Sequence, residues 1–377
     1  MRWPLPLQSY RRVSSERLVN CYPQSKPQDA YGGIAIVRAP GIAQIAEFGA
    51  SGRGLKTFDN TLYAIAGSNL IRVDGTSSAT NVAVVPGSGR VKMVAMAQDL
   101  VLLTTAGDIH VWDGTEITSI DSPWFGRAGD IEFLDNLLIG TVADTMQLFT
   151  SYVNDPYTYD PLYFASAEFQ PDPLVGVIAD HGQAFYAGTM TCELWQGRTG
   201  AGFPLERAAN FAVQLGCAAG RSLASQDNAP FWLANDLTVR RLSGFTPTRV
   251  STDGVEDAIR NYGDVSDAFA LAYSVGGHLM YALTFPGRAT WEFDITTSQW
   301  HERKSYGRND WGVVAVEQFG NDVYTLDAAG RLGVMRANVY EECGDTQRVE
   351  FVTSTIYAEN DLLRQHEAEL VMRTGSA

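Results

Sequence analysis

The sequence predicts an all-β fold of the β-propeller class, and three observations carry that expectation. A unit of apolar strand, polar turn and second apolar strand recurs along the chain. Gly is abundant (36 residues) while Lys and Arg together number 28, as many short strands joined by tight turns require. Long stretches with a helical period are missing. The 377 residues, 45% hydrophobic, suffice for one large all-β domain, and a charged content of 19% argues against disorder.

Seven units start at Gly54, Val91, Ile131, Val175, Arg221, Phe269 and Gly312, spaced as propeller blades are. Five carry a turn pair at the same place: Asp59-Asn60, Gln98-Asp99, Asp135-Asn136, Gly276-Gly277 and Gly320-Asn321. Asn, Asp and Gly tolerate the positive φ of tight hairpins, and β-forming residues resume on either side, as in Leu62-Tyr63 and Val323-Tyr324. Two units end in the same tripeptide, "LIRVDGT" (Leu70 to Thr76) and "IHVWDGT" (Ile109 to Thr115). Asp74, Gly75, Asp113 and Gly114 are therefore read as turn formers at equivalent ends of successive blades, not as a pair of catalytic acids.

A lone blade leaves both faces of its sheet exposed, so closure into a ring is expected over residues 34–340. Seven units are counted, with a six-bladed ring as the alternative. "IAIVRAPGIAQIAEF" (Ile34 to Phe48) is positioned to supply a strand that closes the last blade. Residues 1–33, rich in Pro, Arg and aromatics, read as an extended basic arm that is not packed. "STDGVEDAIRNYG" (Ser251 to Gly263) places Val255, Ile259 and Tyr262 at i, i+4 and i+7 and predicts one short amphipathic helix. Residues 341–377 read as the start of a C-terminal β-region.

The search for chemistry is negative. Nucleophile-elbow, zincin, Walker and dinucleotide-binding motifs are missing. "VPGSGRVKM" (Val85 to Met93) imitates a phosphate loop but lacks the following helix and the Lys-Ser/Thr, so Gly87 and Gly89 read as a turn into a first strand. The five His show no metal-ligand spacing, and Asp253, Glu256, Asp257, Asp264 and Asp267 lack the spacing of a calcium loop. Cys21, Cys192, Cys217 and Cys343 lie far apart and read as free thiols of a reducing compartment. No catalytic residue, metal or cofactor is expected. The chain reads as soluble, without a membrane segment. The 41 aromatic residues, Trp291 and Trp300 among them, raise a glycan- or receptor-binding propeller as the competing reading.

The formal net charge of −15 argues against general capture of nucleic acid, which depends on Lys and Arg displacing counterions. It is unevenly spread. Residues 1–26 hold Arg2, Arg11, Arg12, Arg17 and Lys26 against Glu16, a net of 5 − 1 = +4, which leaves −15 − 4 = −19 for the rest. A basic arm on an acidic body suits docking, and Arg2, Trp3, Arg11, Arg12 and Arg17 are the candidate contacts with a neighbouring subunit or adaptor.

Taken in order, "LPL" (Leu5 to Leu7), "LVNCYP" (Leu18 to Pro23), "APGIA" (Ala39 to Ala43), "GRGLKTFDNTLYAIAGSNLIRV" (Gly52 to Val73), "GSGRVKM" (Gly87 to Met93), "VSTDGVEDAIRNYG" (Val250 to Gly263) and "FDITTSQWHER" (Phe293 to Arg303) resemble the packaged-DNA stabilisation proteins of short-tailed bacteriophages. The resemblance covers nearly the whole chain, except that family members continue into a further β-region beyond the point where this sequence stops. It implies a non-enzymatic virion protein of the tail hub or nozzle, assembled in the host cytoplasm. It further implies a hexameric ring below a portal-bound adaptor, plugged by a tail needle and flanked by tailspikes or fibres. Double-stranded DNA would then pass through the channel without specific binding.

Overall fold

The computed structural model describes residues 17–25, 34–74, 78–96, 98–121, 123–200 and 202–352. Seven four-stranded antiparallel blades follow one another along the chain, and the sheets of the last two are widened to six strands by added segments. Blades 1 to 6 span residues 52–84, 92–119, 128–166, 174–213, 224–249 and 269–303. Blade 7 takes three strands from residues 313–336 and its fourth, Gly41–Glu47, from the other end of the chain. That strand pairs antiparallel with Arg331–Arg336, so the ring is shut by hydrogen bonds between distant segments. Seven blades form it, not six. Consecutive first strands adjoin all the way round, blade 7 against blade 1 included, so they line the axis.

The strands carry continuous apolar runs because both faces of every blade are covered. Leu100–Leu103 ("LVLL") is buried at all four positions. Leu100 and Leu102 pack with Tyr63, Ile65 and Leu70 of blade 1, whereas Val101 and Leu103 pack with Ile131 and Leu138 of blade 3. Side chains alternate across a strand, so one run feeds two interfaces. The same arrangement gives one apolar cluster for each of the seven blade contacts, the last joining Leu55 and Leu62 of blade 1 to Leu326 and Leu332 of blade 7.

Turn chemistry sets the register. Phe58 pairs with Thr61, Leu134 with Leu137, Val275 with His278 and Phe319 with Asp322, each across a two-residue loop. Asp59-Asn60, Asp135-Asn136 and Gly276-Gly277 have positive φ at both residues, which matches the twist of the flanking strands. His181-Gly182 and Asp227-Asn228 do the same in blades 4 and 5, although neither stood out in the sequence. Gln98-Asp99 differs. Ala95 pairs with Leu100, so the loop is four residues long, and the Tyr157 hydroxyl of blade 3 donates to the Asp99 carboxylate at 2.7 Å.

Helix α1 runs from Asp253 to Arg260 between blades 5 and 6, burying Val255 and Ile259 against Phe231, Val239 and Phe285. Its Thr252 N-cap makes no side-chain hydrogen bond; Glu256 instead accepts from Ser251 Oγ at 2.7 Å and pairs with Arg249 and Arg260. The arm departs from the sequence reading at its described end. Arg17–Val19 and Cys21–Ser25 are strands, and Val19, Asn20, Cys21 and Tyr22 are buried. They are extended but packed: Arg17–Val19 adds to the open outer edge of blade 6, and Cys21–Ser25 pairs antiparallel with Ile34–Arg38 in a two-stranded sheet.

Candidate assembly interface

Both ends of the described chain meet on blade 6. Arg17–Val19 pairs in parallel with the outer strand Gln299–Arg303, and Glu350–Val352 then pairs antiparallel with Arg17–Val19. Arg17 stands opposite Val352, so the two ends of the described chain lie side by side on this edge. On blade 7, Glu341–Glu342 joins the closing strand in parallel and forms a small hairpin with Asp345–Thr346.

Asn20 ties three segments together. It is 1% exposed, with φ 54° in the left-handed region that Asn tolerates better than most residues. Its side-chain amide donates to the carbonyls of Lys304 (2.9 Å) and Arg348 (2.8 Å), while its Oδ1 accepts from Lys304 N at 2.9 Å. Beside it the Arg17 guanidinium donates to both Glu302 oxygens, at 2.6 and 3.0 Å, and to Glu350 Oε1 at 2.9 Å. The hydrogen bond to Glu302 raises the arginine above its ordinary range. For Glu302, burial pushes the carboxyl up, but Arg17 and Lys304 outweigh it and hold the group below its usual range.

Tyr22 lies over the rings of His278 and His301, at 4.6 and 5.7 Å between centroids. His301 Nε2 donates to Glu292 at 2.6 Å and Tyr273 donates to the other oxygen of that carboxylate. Burial raises the Glu292 carboxyl, yet His301, Arg303 and Tyr273 together bring it below its usual value. The buried Arg303 guanidinium sits over Trp311 at 4.6 Å and 3.7 Å from Glu342, which also accepts from Trp311 Nε1 and Ser305 Oγ. His–carboxylate pairs recur in active sites, but these are enclosed by Tyr22 and by strands of two blades. Their geometry fastens the terminal segments to the ring.

Of the residues singled out in the sequence, Arg17 is engaged inside its own chain, whereas Arg2, Trp3, Arg11, Arg12 and Gly75 lie outside the described residues, as does His366. Asp113 Oδ1 accepts from the N–H and hydroxyl of Thr115 and from the N–H of Glu116, which keeps its carboxyl below the usual range, the Glu116 N–H contributing most. Gly114 follows with φ 96°. Asp74 closes differently: it ends its strand opposite Ser78 and accepts from Arg72 Nε at 2.9 Å. Both aspartates line the open cleft of about 660 Å³ between blades 1 and 2, together with Asp59, Tyr63, Arg72 and Gln98. Gly87 and Gly89, with φ 81° and 80°, belong to a loop wrapped around Arg53. That buried guanidinium donates to the carbonyls of Gly67, Val85, Pro86 and Gly89 at 2.7–3.0 Å. A phosphate cradle presents N–H groups inward; this loop presents carbonyls.

Trp300 donates from Nε1 to the Val250 carbonyl and packs on Phe293, and Trp291 donates to Tyr262, so neither indole is a free stacking platform. Among the described residues no group of three or more His, Cys, Asp or Glu could hold a metal. No described helix is long and apolar enough to cross a membrane. The clasp residues Asn20, Tyr22, Glu292, Glu302 and Arg303 were missed in the sequence as a site. "LVNCYP" and "QWHER" (Gln299 to Arg303) contain four of them, but nothing in their spacing shows that they meet.

A closed ring whose buried charges hold the two ends of the described chain defines a structural propeller, a rigid platform with residues 17–19 and 350–352 side by side on one edge. The chain belongs to the phage family described as bacteriophage P22 Gp10, beta-propeller, which matches residues 11–340. It is a family of packaged-DNA stabilisation proteins, structural components of the virion. Among solved structures, the computationally designed Ika8 protein is 14% identical with a TM-score of 0.47, over 79% of this chain and 99% of its own. BamB from Moraxella catarrhalis is 13% identical with a TM-score of 0.47, over 84% of this chain and 96% of its own. No curated protein matches the chain.

Proposed function

We propose that this protein is a subunit of the phage tail hub or nozzle. It closes the portal channel to retain packaged DNA and later forms part of the conduit for ejection. The observation that carries the reading is the clasp on blade 6, which holds Arg17, at the described end of the basic arm, beside Glu350–Val352 on one edge of a body whose sequence is acidic. An arm leaving beside the sixth blade can cross to an adjacent copy, and six copies contacting head to tail close a ring by rotation. The portal-bound adaptor would meet one rim of that ring. A tail needle would plug its bore, and tailspikes or fibres would flank it. An acidic wall suits the conduit, since a surface that repels phosphate lets double-stranded DNA slide without specific binding. Assembly would take place in the host cytoplasm before the particle is complete.

The test is native mass spectrometry of the full chain, alone and with its adaptor, followed by electron microscopy of assembled tails. Six copies and density below the portal are expected. A chain that stays monomeric under both conditions and leaves no density there overturns the reading. Deleting residues 1–16 separates the role of the arm: the propeller should fold, with assembly lost.

A further inference from the structure

Charge and exposed apolar surface are both unevenly placed round the ring. Between Arg127 and Arg198 the sequence holds ten Asp or Glu and no Lys or Arg, so blade 3 carries no Lys or Arg at all. Its last two strands, Gln147–Thr150 and Phe164–Ser166, are joined by residues 151–163, where blade 6 needs only residues 295–298. The long loop is fixed in place. Tyr159 stands edge-on against Phe125 and Phe149, and the Tyr157 hydroxyl donates to Asp99 at 2.7 Å. Asp155 and Asp160 accept from the N–H groups of Tyr157 and Leu162, both at 2.8 Å. On that base Leu162 is 80% and Val153 63% exposed, and Tyr152 and Phe164 are exposed as well. Bare apolar side chains on a pre-ordered loop mark a contact surface, because little conformational freedom is left to lose on docking.

A second exposed apolar group lies at the clasp. Tyr306 is 67% exposed, and Val349 and Phe351, on either side of Glu350, are exposed with it. A cleft of about 370 Å³ opens beside them, and its lining includes the cations Arg17, Lys304, Arg308 and Arg348 and a single carboxylate, Glu350. The other carboxylates that pair with these cations, Glu302 and Asp310, are buried, whereas the Arg348 side chain is 82% exposed. The cleft therefore turns positive charge outward in a chain of net negative charge. Blades 3 and 6 are three places apart one way round the ring and four the other. One copy cannot bring its own two surfaces together, but two copies can.

We propose that these two surfaces form the contact between successive copies of the chain: the blade-3 loop, with Leu162 and Val153 as its apolar knob and Asp155 and Asp160 behind them, docks on the blade-6 cleft of a second copy against Tyr306 and Arg348. Charge selects this pairing, since loop on loop or cleft on cleft would set like charge against like, and the knob supplies the apolar burial. The two surfaces differ, so the contact is heterologous and repeats from copy to copy until it closes. It gives the ring of the tail-hub reading, on which it rests, its subunit interface.

Sedimentation velocity of the full chain tests it with two variants at exposed positions, Leu162→Arg in the loop and Arg348→Glu at the cleft. The wild type should self-associate, and each variant alone should do so at least about ten-fold more weakly. An equimolar mixture of the two should reassociate, because the altered loop of one then meets the altered cleft of the other and every alternate contact is native. Restoration on mixing excludes misfolding as the cause of the loss. Phe245→Ala, which removes an exposed aromatic ring from blade 5, should change nothing. Variants that associate like the wild type, a mixture that stays dissociated, or a wild type that is monomeric at about 0.1 mM each overturn the contact. Density below the portal with the contact overturned leaves the tail-hub reading standing, whereas association without that density leaves the contact and removes the reading.

Discussion

Replacing Asn20 isolates what the clasp contributes, because one side chain makes three hydrogen bonds to two distant segments. Each net hydrogen bond contributes about 1 kcal/mol, so their loss costs about 3 kcal/mol. The left-handed φ of 54° adds about 1–2 kcal/mol for alanine and nothing for glycine. Asn20→Ala should therefore destabilise by about 4–5 kcal/mol and Asn20→Gly by about 3 kcal/mol. Asn20→Asp keeps the acceptor for Lys304 N but turns a carboxylate oxygen toward two carbonyls, so it should be at least as damaging as Asn20→Gly. Equilibrium unfolding in urea measures the totals, and hydrogen exchange locates them. Residues 17–22 and 348–352 should lose protection first while blades 1 to 4 keep theirs. An Asn20→Ala protein with an unchanged midpoint and undiminished protection of those two segments would refute the clasp.

Three further outcomes follow from the same geometry. Glu302 has a folded pKa below its unfolded value, so its contribution is complete above the ordinary glutamate range and is lost as pH falls through the folded value. Glu302→Gln should accordingly flatten the fall in unfolding midpoint below about pH 4.5, the acid side of the glutamate range, and lower stability at neutral pH. Arg53→Met leaves four inward carbonyls without their donor and should cost about 3 kcal/mol by urea titration, with the residue 85–91 loop losing exchange protection. At the second Asp-Gly-Thr turn, Asp113→Asn keeps the Oδ1 acceptor and should leave the urea midpoint unchanged, whereas Gly114→Val forces a β-branched residue to φ 96° and should cost about 2 kcal/mol or more. Nothing lies near Gly114 for a side chain to strike, so that cost is one of backbone conformation alone.

The local pattern of this chain is legible wherever a short stretch decides its own conformation. Asp59-Asn60 and Asp135-Asn136 adopt positive φ because their side chains tolerate it, and the flanking apolar residues then have only one way to pair. Seven such units with two apolar faces leave closure into a ring as the way to bury both, so the propeller and the strand Gly41–Glu47 that shuts it were within reach of the sequence. Helix α1 was legible for the same reason, its Val255 and Ile259 repeating at helical spacing. His181-Gly182 was overlooked because histidine gives no turn signal, although it occupies the same corner as the others.

What tertiary structure alone decided lies between segments hundreds of residues apart. Arg17 reads in the sequence as one cation of a basic arm, yet 285 residues separate it from the Glu302 that holds it. Asn20 and Arg348 are 328 residues apart, and Arg90 meets Phe269 only because the ring brings blades 2 and 6 to opposite sides of a narrow bore. Secondary structure follows from a few neighbouring residues, and its period survives in the sequence. Charge pairing follows from distance in space, which a closed ring sets and a linear pattern does not record.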